Sequence, residues 1–151
     1  MIDADLFETM WNMRSMRRLK PDPIAPEVIE HILECGTQAP NGQNTQPWAF
    51  LVVRDPEAKA FLQENYYHAR TSRAGFKEPA ADDNSAVARQ QRASLYLAQH
   101  LHEAPVLLLV CGRRDWPFVV AEEHRVGLAP PSYGSVYPCI QNIMLACRAH
   151  G

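Results

Sequence analysis

Between Ala39 and Val53 the chain reads Ala-Pro-Asn-Gly-Gln-Asn-Thr-Gln-Pro-Trp-Ala-Phe-Leu-Val-Val, and no other stretch limits its possible folds as much. The first half is polar and bracketed by Pro40 and Pro47, each of which fixes φ and removes a backbone donor. Gly42 is free to take positive φ and Asn41 tolerates it, so the segment predicts a tight loop. From Trp48 onward, aromatic and β-branched residues predict a buried strand. A loop rich in amides and held against a core strand is suited to holding a ligand.

The flanking segments predict helices. Asp3 can cap a first helix whose apolar positions Leu6, Phe7, Met10 and Met13 form one buried face, ending near Asn12. A basic turn, Met13-Arg14-Ser15-Met16-Arg17-Arg18-Leu19-Lys20, follows. Pro21 and Pro23 then forbid helix until Pro26 can start one at its first position. Val28, Ile29, Ile32 and Leu33 give that helix its apolar stripe, and Gly36 marks its predicted end. Asp55-Pro56-Glu57 starts a further helix with Ala58, Phe61 and Leu62 inward. Residues 70–88 show neither helical nor strand period and read as a long polar insertion or lid within a single domain covering 1–151. A helix from about Arg89 to His102 leads into Val106–Cys111, hydrophobic enough to be a central strand. Residues 112–134, with Trp116, Phe118, Pro130 and Pro131, are irregular. A last helix follows, capped by Ser135, with Pro138 in its first turn and Val136, Ile140, Ile143 and Cys147 inward.

Composition narrows the partners. With 151 residues, 46% of them hydrophobic, the chain can close one core. A net charge of −2 provides no basic field for nucleic acid or an anionic membrane. The longest apolar run, Val106–Cys111, is too short to cross a bilayer. Cys35, Cys111, Cys139 and Cys147 include no C-x-x-C pair, and the N-terminus is acidic and amphipathic rather than secretory. The expectation is reduced core thiols in a cytoplasmic protein. Cys139 and Cys147 share a predicted helix with about 12 Å of rise between them and cannot bridge.

Chemistry-bearing residues are few. Arg14, Ser15 and Arg17 can converge two guanidinium forks and a hydroxyl on a phosphate, or can face water at a helix C-terminus. Asn41, Gly42, Asn44 and Gln46 can bond a heterocycle's edge or close their own turn. His100-x-His102 would point its rings apart on a helix, while His31, His68, His124 and His150 stand alone, so no metal site is expected. Tyr66, Tyr67, Tyr133 and Tyr137 serve equally as acids or as packing. Neither G-x-S-x-G, nor G-x-x-x-x-G-K, nor H-E-x-x-H occurs.

Three blocks taken together carry a resemblance: Arg14-Ser15-Met16-Arg17-Arg18-Leu19, then Ala39 through Phe50, then Pro138-Cys139-Ile140-Gln141-Asn142-Ile143-Met144-Leu145-Ala146-Cys147-Arg148-Ala149-His150-Gly151. In order and separation, over nearly the whole chain, they resemble the nitroreductase family of FMN-dependent oxidoreductases. The resemblance implies an α+β fold, a central mixed or antiparallel sheet flanked by helices, in a homodimer with its flavin sites at the subunit interface. It also implies that Arg14, Ser15 and Arg17 hold the FMN phosphate and ribityl chain from one subunit. Asn41 and Gly42 would approach the flavin from the other, with Pro40 and Asn44 shaping the loop. Met13 stands where the family often has arginine, which implies lower phosphate affinity, and Asn41 where serine is commoner. Family members continue beyond Ala-His-Gly with strand and helix that add flavin contacts, so the chain is expected to lack that C-terminal portion.

The activity so implied is hydride transfer from NAD(P)H through flavin N5 to a small oxidant, a nitroaromatic or quinone. The cofactor does the chemistry, so no catalytic side chain is assigned. Reductive dehalogenation and flavin destruction also occur within the family. The competing expectation is a flavin-binding or interaction module without turnover.

Overall fold

A computed structural model of the chain describes residues 4–113 and 134–151. Helix α1 spans Leu6–Asn12, α2 Pro26–Thr37, strand β1 Trp48–Val53, α3 Pro56–Thr71, α4 Ala86–His100, β2 Leu107–Gly112 and α5 Val136–Ala149. Short 3-10 turns occupy Gly42–Asn44 and Leu101–Glu103. Asp3, Trp116, Phe118, His124, Pro130, Pro131 and Tyr133 lie outside the described residues. The chain divides into two compact units. One holds α1, α2, the loop before β1, most of both strands and α5; the other holds 14–24, α3 and α4.

The first unit is built on α2 and α5. Ile32 and Ala39 are buried with Cys139, Ile143 and Ala146, and Val28, Cys35, Trp48, Phe50, Leu108 and Val110 pack against them. Gly36 lies inside α2 rather than ending it. A Cβ there would sit 2.7 Å from Ile143 Cγ1, 3.0 Å from Cδ1 and 3.4 Å from Cys139 Sγ, so the missing side chain is what lets the helices approach. Asn142 Nδ2 donates to Cys35 O at 3.2 Å across the same seam. His31 and His150, expected to stand alone, lie with Nδ1 and Nε2 at hydrogen-bond distance, 2.9 Å, with Cys35 Sγ 3.9 Å from His31 Nε2. The inward face of α5 is Val136, Cys139, Ile143 and Ala146. It is rotated from the predicted one, leaving Ile140 half-buried and Cys147 exposed.

The two strands form a two-stranded sheet. Arg113 N donates to Pro47 O at 2.8 Å, joining the start of β1 to the end of β2, so the pair is antiparallel. Along β1, Trp48, Phe50 and Val52 are half-buried and Ala49 and Leu51 exposed, the alternation of a strand with one covered face. β2 does not sit centrally among the described residues. β1 is its partner there, and Leu109, Cys111 and Gly112 are exposed, so Cys111 is not the core thiol expected of so apolar a run. Hydrophobicity alone does not say how many faces of a strand are covered.

Two further expectations fail for the same reason. α1 starts at Leu6, capped by Asp5, whose Oδ1 accepts from Glu8 N at 2.7 Å. Most of its apolar face is uncovered among the described residues: Phe7 is 70% exposed, Trp11 76%, and Leu6 and Met10 more than half, with Met13 half-buried. Phe61, predicted inward on α3, is likewise exposed. Periodicity identifies an apolar face without identifying what covers it.

In the second unit Asp55 caps α3 through Ala58 N at 2.8 Å, and Ser85 caps α4 through Ala88 N at 3.2 Å. Gln63 Nε2 on α3 donates to Ala98 O on α4 at 2.7 Å, and Lys59 Nζ donates to Ala104 O, just past the 3-10 turn after α4, at 2.8 Å. Arg70 and Thr71 still belong to α3, and 86–88 already belong to α4, so the connection is 72–85. Arginines organise it. Arg92 donates to Ala80 O at 3.0 Å and Asp83 O at 2.7 Å, and Arg89 to Asn84 O at 2.6 Å.

The α2–α5 seam generates two predictions. Gly36→Ala gains about 1 kcal/mol of helix propensity but overpacks a filled seam, which costs about 1–3 kcal/mol. The expected result is net destabilisation in urea unfolding, with a smaller penalty when introduced beside Ile143→Ala. His150 is held below its ordinary value by burial first and by His31 second. The unfolded chain therefore takes up this proton at a higher pH than the folded one. The contribution is complete above about 6.5 and is lost as pH falls from there through the folded value. His150→Gln should flatten the acid limb of a stability-against-pH curve measured by urea unfolding.

Candidate functional site

The predicted site residues fall into two groups. Arg14, Ser15 and Arg17 follow α1, which closes with Met13 N donating to Thr9 O at 2.9 Å. Beyond it Pro21 and Pro23 keep the backbone out of helix. Arg14 and Ser15 are exposed and Arg17 half-buried. Arg17 Nη1 donates to Ser15 O at 3.2 Å, so it braces the segment itself rather than capping the last carbonyls of α1. That bond uses one of five guanidinium donors. The remaining donors, Arg14 and the Ser15 hydroxyl fall within four residues and suit a phosphate dianion chemically.

Pro40, Asn41, Gly42 and Asn44 stand together in the loop between α2 and β1. Asn41 is committed to that loop: Nδ2 donates to Ala39 O at 3.2 Å and Oδ1 accepts from Gln46 N at 2.8 Å. Thr45 closes the 3-10 turn, its N and Oγ1 donating to Gly42 O at 3.1 and 3.0 Å. Gly42 N donates to Ser135 Oγ at 3.4 Å, tying the loop to the buried residue that precedes α5. Ser135 was expected as a side-chain cap of α5 and makes no such bond.

The backbone also departs from expectation. Gly42 does not take positive φ; Gln43, Asn44 and Gln46 do, at 54°, 53° and 44°. Asparagine adopts this region readily, but glutamine does so only under constraint. Asn41, turned inward, supplies that constraint by fixing Gln46 N. The exposed part of the loop is therefore Gly42, Gln43, Asn44 and Gln46, with Gln46 Nε2 donating to Asn44 Oδ1 at 3.4 Å. No glycine marks Gln43 and Gln46 as left-handed; the short-range bond from Gln46 N to Asn41 and the long-range bond from Gly42 N to Ser135 hold the loop in that conformation.

Among the described residues no group of three or more His, Cys, Asp and Glu is arranged to hold a metal ion. None of the helices described there is long and apolar enough to cross a membrane.

The sequence model described as "Nitroreductase family" matches residues 12–151, a span that includes both groups. The chain belongs to the nitroreductase family. Relatives are similar over shorter stretches. Iodotyrosine deiodinase of Nematostella vectensis is 34% identical over 61 residues, 40% of this chain and 23% of that protein. An NADH dehydrogenase of Thermus thermophilus is 45% identical over 51 residues, 34% of this chain and 25% of that protein. The match thus spans about a quarter of the curated relatives. Among solved structures, an oxidised iodotyrosine deiodinase bound to FMN and 3-iodo-L-tyrosine aligns with a TM-score of 0.70 at 23% identity, covering 97% of this chain and 71% of that one. A nitroreductase with bound FMN from Bacteroides fragilis aligns at 0.63 and 21% identity, covering 98% and 66%. These likenesses establish an α+β nitroreductase-like fold.

The left-handed run is testable by substitution. Gln43→Gly should leave stability within about 0.5 kcal/mol, since relief of strain offsets the entropy of glycine. Gln43→Val should cost more than about 1 kcal/mol, because a β-branched residue is poorly accommodated at positive φ. Thermal unfolding of the two variants side by side reads the difference.

Proposed function

We propose that this chain binds FMN and works as an FMN-dependent oxidoreductase that passes a hydride from NAD(P)H to a small acceptor. The observation that carries the reading is the cluster of phosphate donors at Arg14, Ser15 and Arg17, lying at the start of the stretch that matches the nitroreductase family. In this reading the two guanidiniums and the hydroxyl hold the phosphate and ribityl chain. A dianion favours paired, charge-assisted donors over isolated ones. Gly42 and its neighbours bring main chain to the flavin edge from a second subunit, and Pro40, Asn41 and Asn44 hold the shape of that loop. The chemistry supplied by the cofactor when bound is acceptance of a hydride at N5 and delivery of electrons to the oxidant. The chain's own part is to bind, orient and shield.

A homodimer is the assembly proposed. Leu6, Phe7, Met10 and Trp11 form an apolar surface on α1 that is uncovered among the described residues, and a second copy is the proposed cover. A cytoplasmic setting suits four unpaired cysteines. Residues 72–85, clamped by Arg89 and Arg92, are the proposed lid over the acceptor.

The similarity to iodotyrosine deiodinases favours a second reading of the acceptor, as a halogenated aromatic that loses halide. The same experiment separates the readings. The FMN-saturated protein is mixed anaerobically with NADPH and then offered a nitroaromatic, a quinone or an iodinated phenol. Bleaching of the flavin spectrum by NADPH followed by recovery with the nitroaromatic or quinone is expected. Recovery with the iodinated phenol alone selects dehalogenation, and FMN retention without bleaching reduces the chain to a binding module.

A further inference from the structure

Outside the two groups just described, the strongest organised feature is a stack in the second unit. Arg18, the residue after Arg17, places its guanidinium carbon 4.2 Å from the centroid of the Tyr96 ring on α4. Tyr96 also stacks on His100, one turn further along, at 4.1 Å between centroids and 23° between planes. The Tyr96 ring thus contacts a cation and an imidazole at once. His100 Nδ1 in turn lies 2.8 Å from Glu103 Oε1, which fixes the imidazole against the ring. The carboxylate ends a line of four side chains beginning with a cation on the phosphate-binding segment.

This line has a mechanical consequence. The 14–24 segment has no helical or strand hydrogen bonding of its own, and its prolines cannot donate. Successive arginines divide the work: Arg17 braces Ser15 within the segment, and Arg18 fastens the segment to α4. A segment so fastened need not be ordered when an anion arrives, and preorganisation of this kind appears as affinity.

We infer that Tyr96, backed by His100 and Glu103, is a positioning residue that holds Arg18 so that Arg14, Ser15 and Arg17 favour phosphorylated over unphosphorylated flavin. The inference rests on the FMN reading proposed above. It assigns Tyr96 no contact with the cofactor. Its effect is confined to the phosphate end, and this separates it from a general contribution to folding.

The test titrates FMN and, in parallel, riboflavin into the cofactor-free full chain and follows flavin fluorescence. Tyr96→Leu and Arg18→Met should each weaken FMN binding about fivefold, the scale of one cation–π contact. Riboflavin affinity should stay as in the wild type, and the double substitution should be no worse than either alone. Tyr96→Phe, which keeps the ring faces, should restore wild-type FMN affinity. Unchanged FMN affinity in Tyr96→Leu, or equal losses for FMN and riboflavin, overturns the inference while leaving the FMN reading intact. If Tyr96→Leu does not fold, Arg18→Met at its exposed position decides alone by the same criterion. A wild-type chain that does not prefer FMN to riboflavin overturns the phosphate reading itself, and the inference falls with it.

Discussion

The close approach of α2 and α5 at Gly36 is the constraint on which the first unit depends. With hydrogen in place of a side chain, Ile143 and Cys139 reach the backbone of α2, and Ile32, Ala39 and Ala146 fill the rest of the seam. A seam this tight leaves little freedom to slide, because protein interiors pack at crystal-like density. The polar bonds along it, Asn142 to Cys35 O and His31 to His150, cross the same gap and fix the helices in register.

That register reaches the loop directly. Ala39, the first residue of the organising stretch, is in the core, and Gly42 N is bonded to Ser135 at the start of α5. Both helices thus hold the loop at one end of the seam, where α2 finishes and α5 begins, and Asn41 closes it from inside. Three non-glycine residues held at positive φ are the local cost of that fixation. A loop pinned in this way offers its exposed amides in one arrangement, which is what recognition of a rigid planar ligand demands.

The second unit solves a different problem. Its basic segment lacks secondary structure, so side chains supply the order that hydrogen-bonded backbone would otherwise give. Arg18 over Tyr96 does this for that segment, and three more arginines do it for the connection before α4: Arg89 and Arg92 on its carbonyls and Arg70 over Phe76. A planar, permanently charged group with five donors can stack and bond at once, which a lysine ammonium cannot do.

The sequence by itself determined that the helices and strands exist and where several of them start, because proline, capping residues and apolar period act over one or two turns. Asp55 at the start of α3, Pro26 at the first turn of α2 and the strand from Trp48 follow from such local rules, as does the family resemblance carried by three blocks, whereas Ser85 as the cap of α4 is hidden in a stretch without period. Tertiary structure alone decided that Gly36 is a packing residue and not a helix end, that Gly42 N bonds Ser135, and that His31 meets His150. It also decided that the apolar faces of α1 and β2 are left uncovered within the described residues. Each of these depends on partners tens of residues distant along the chain, and a local pattern encodes which surface is apolar or strained, never what lies against it.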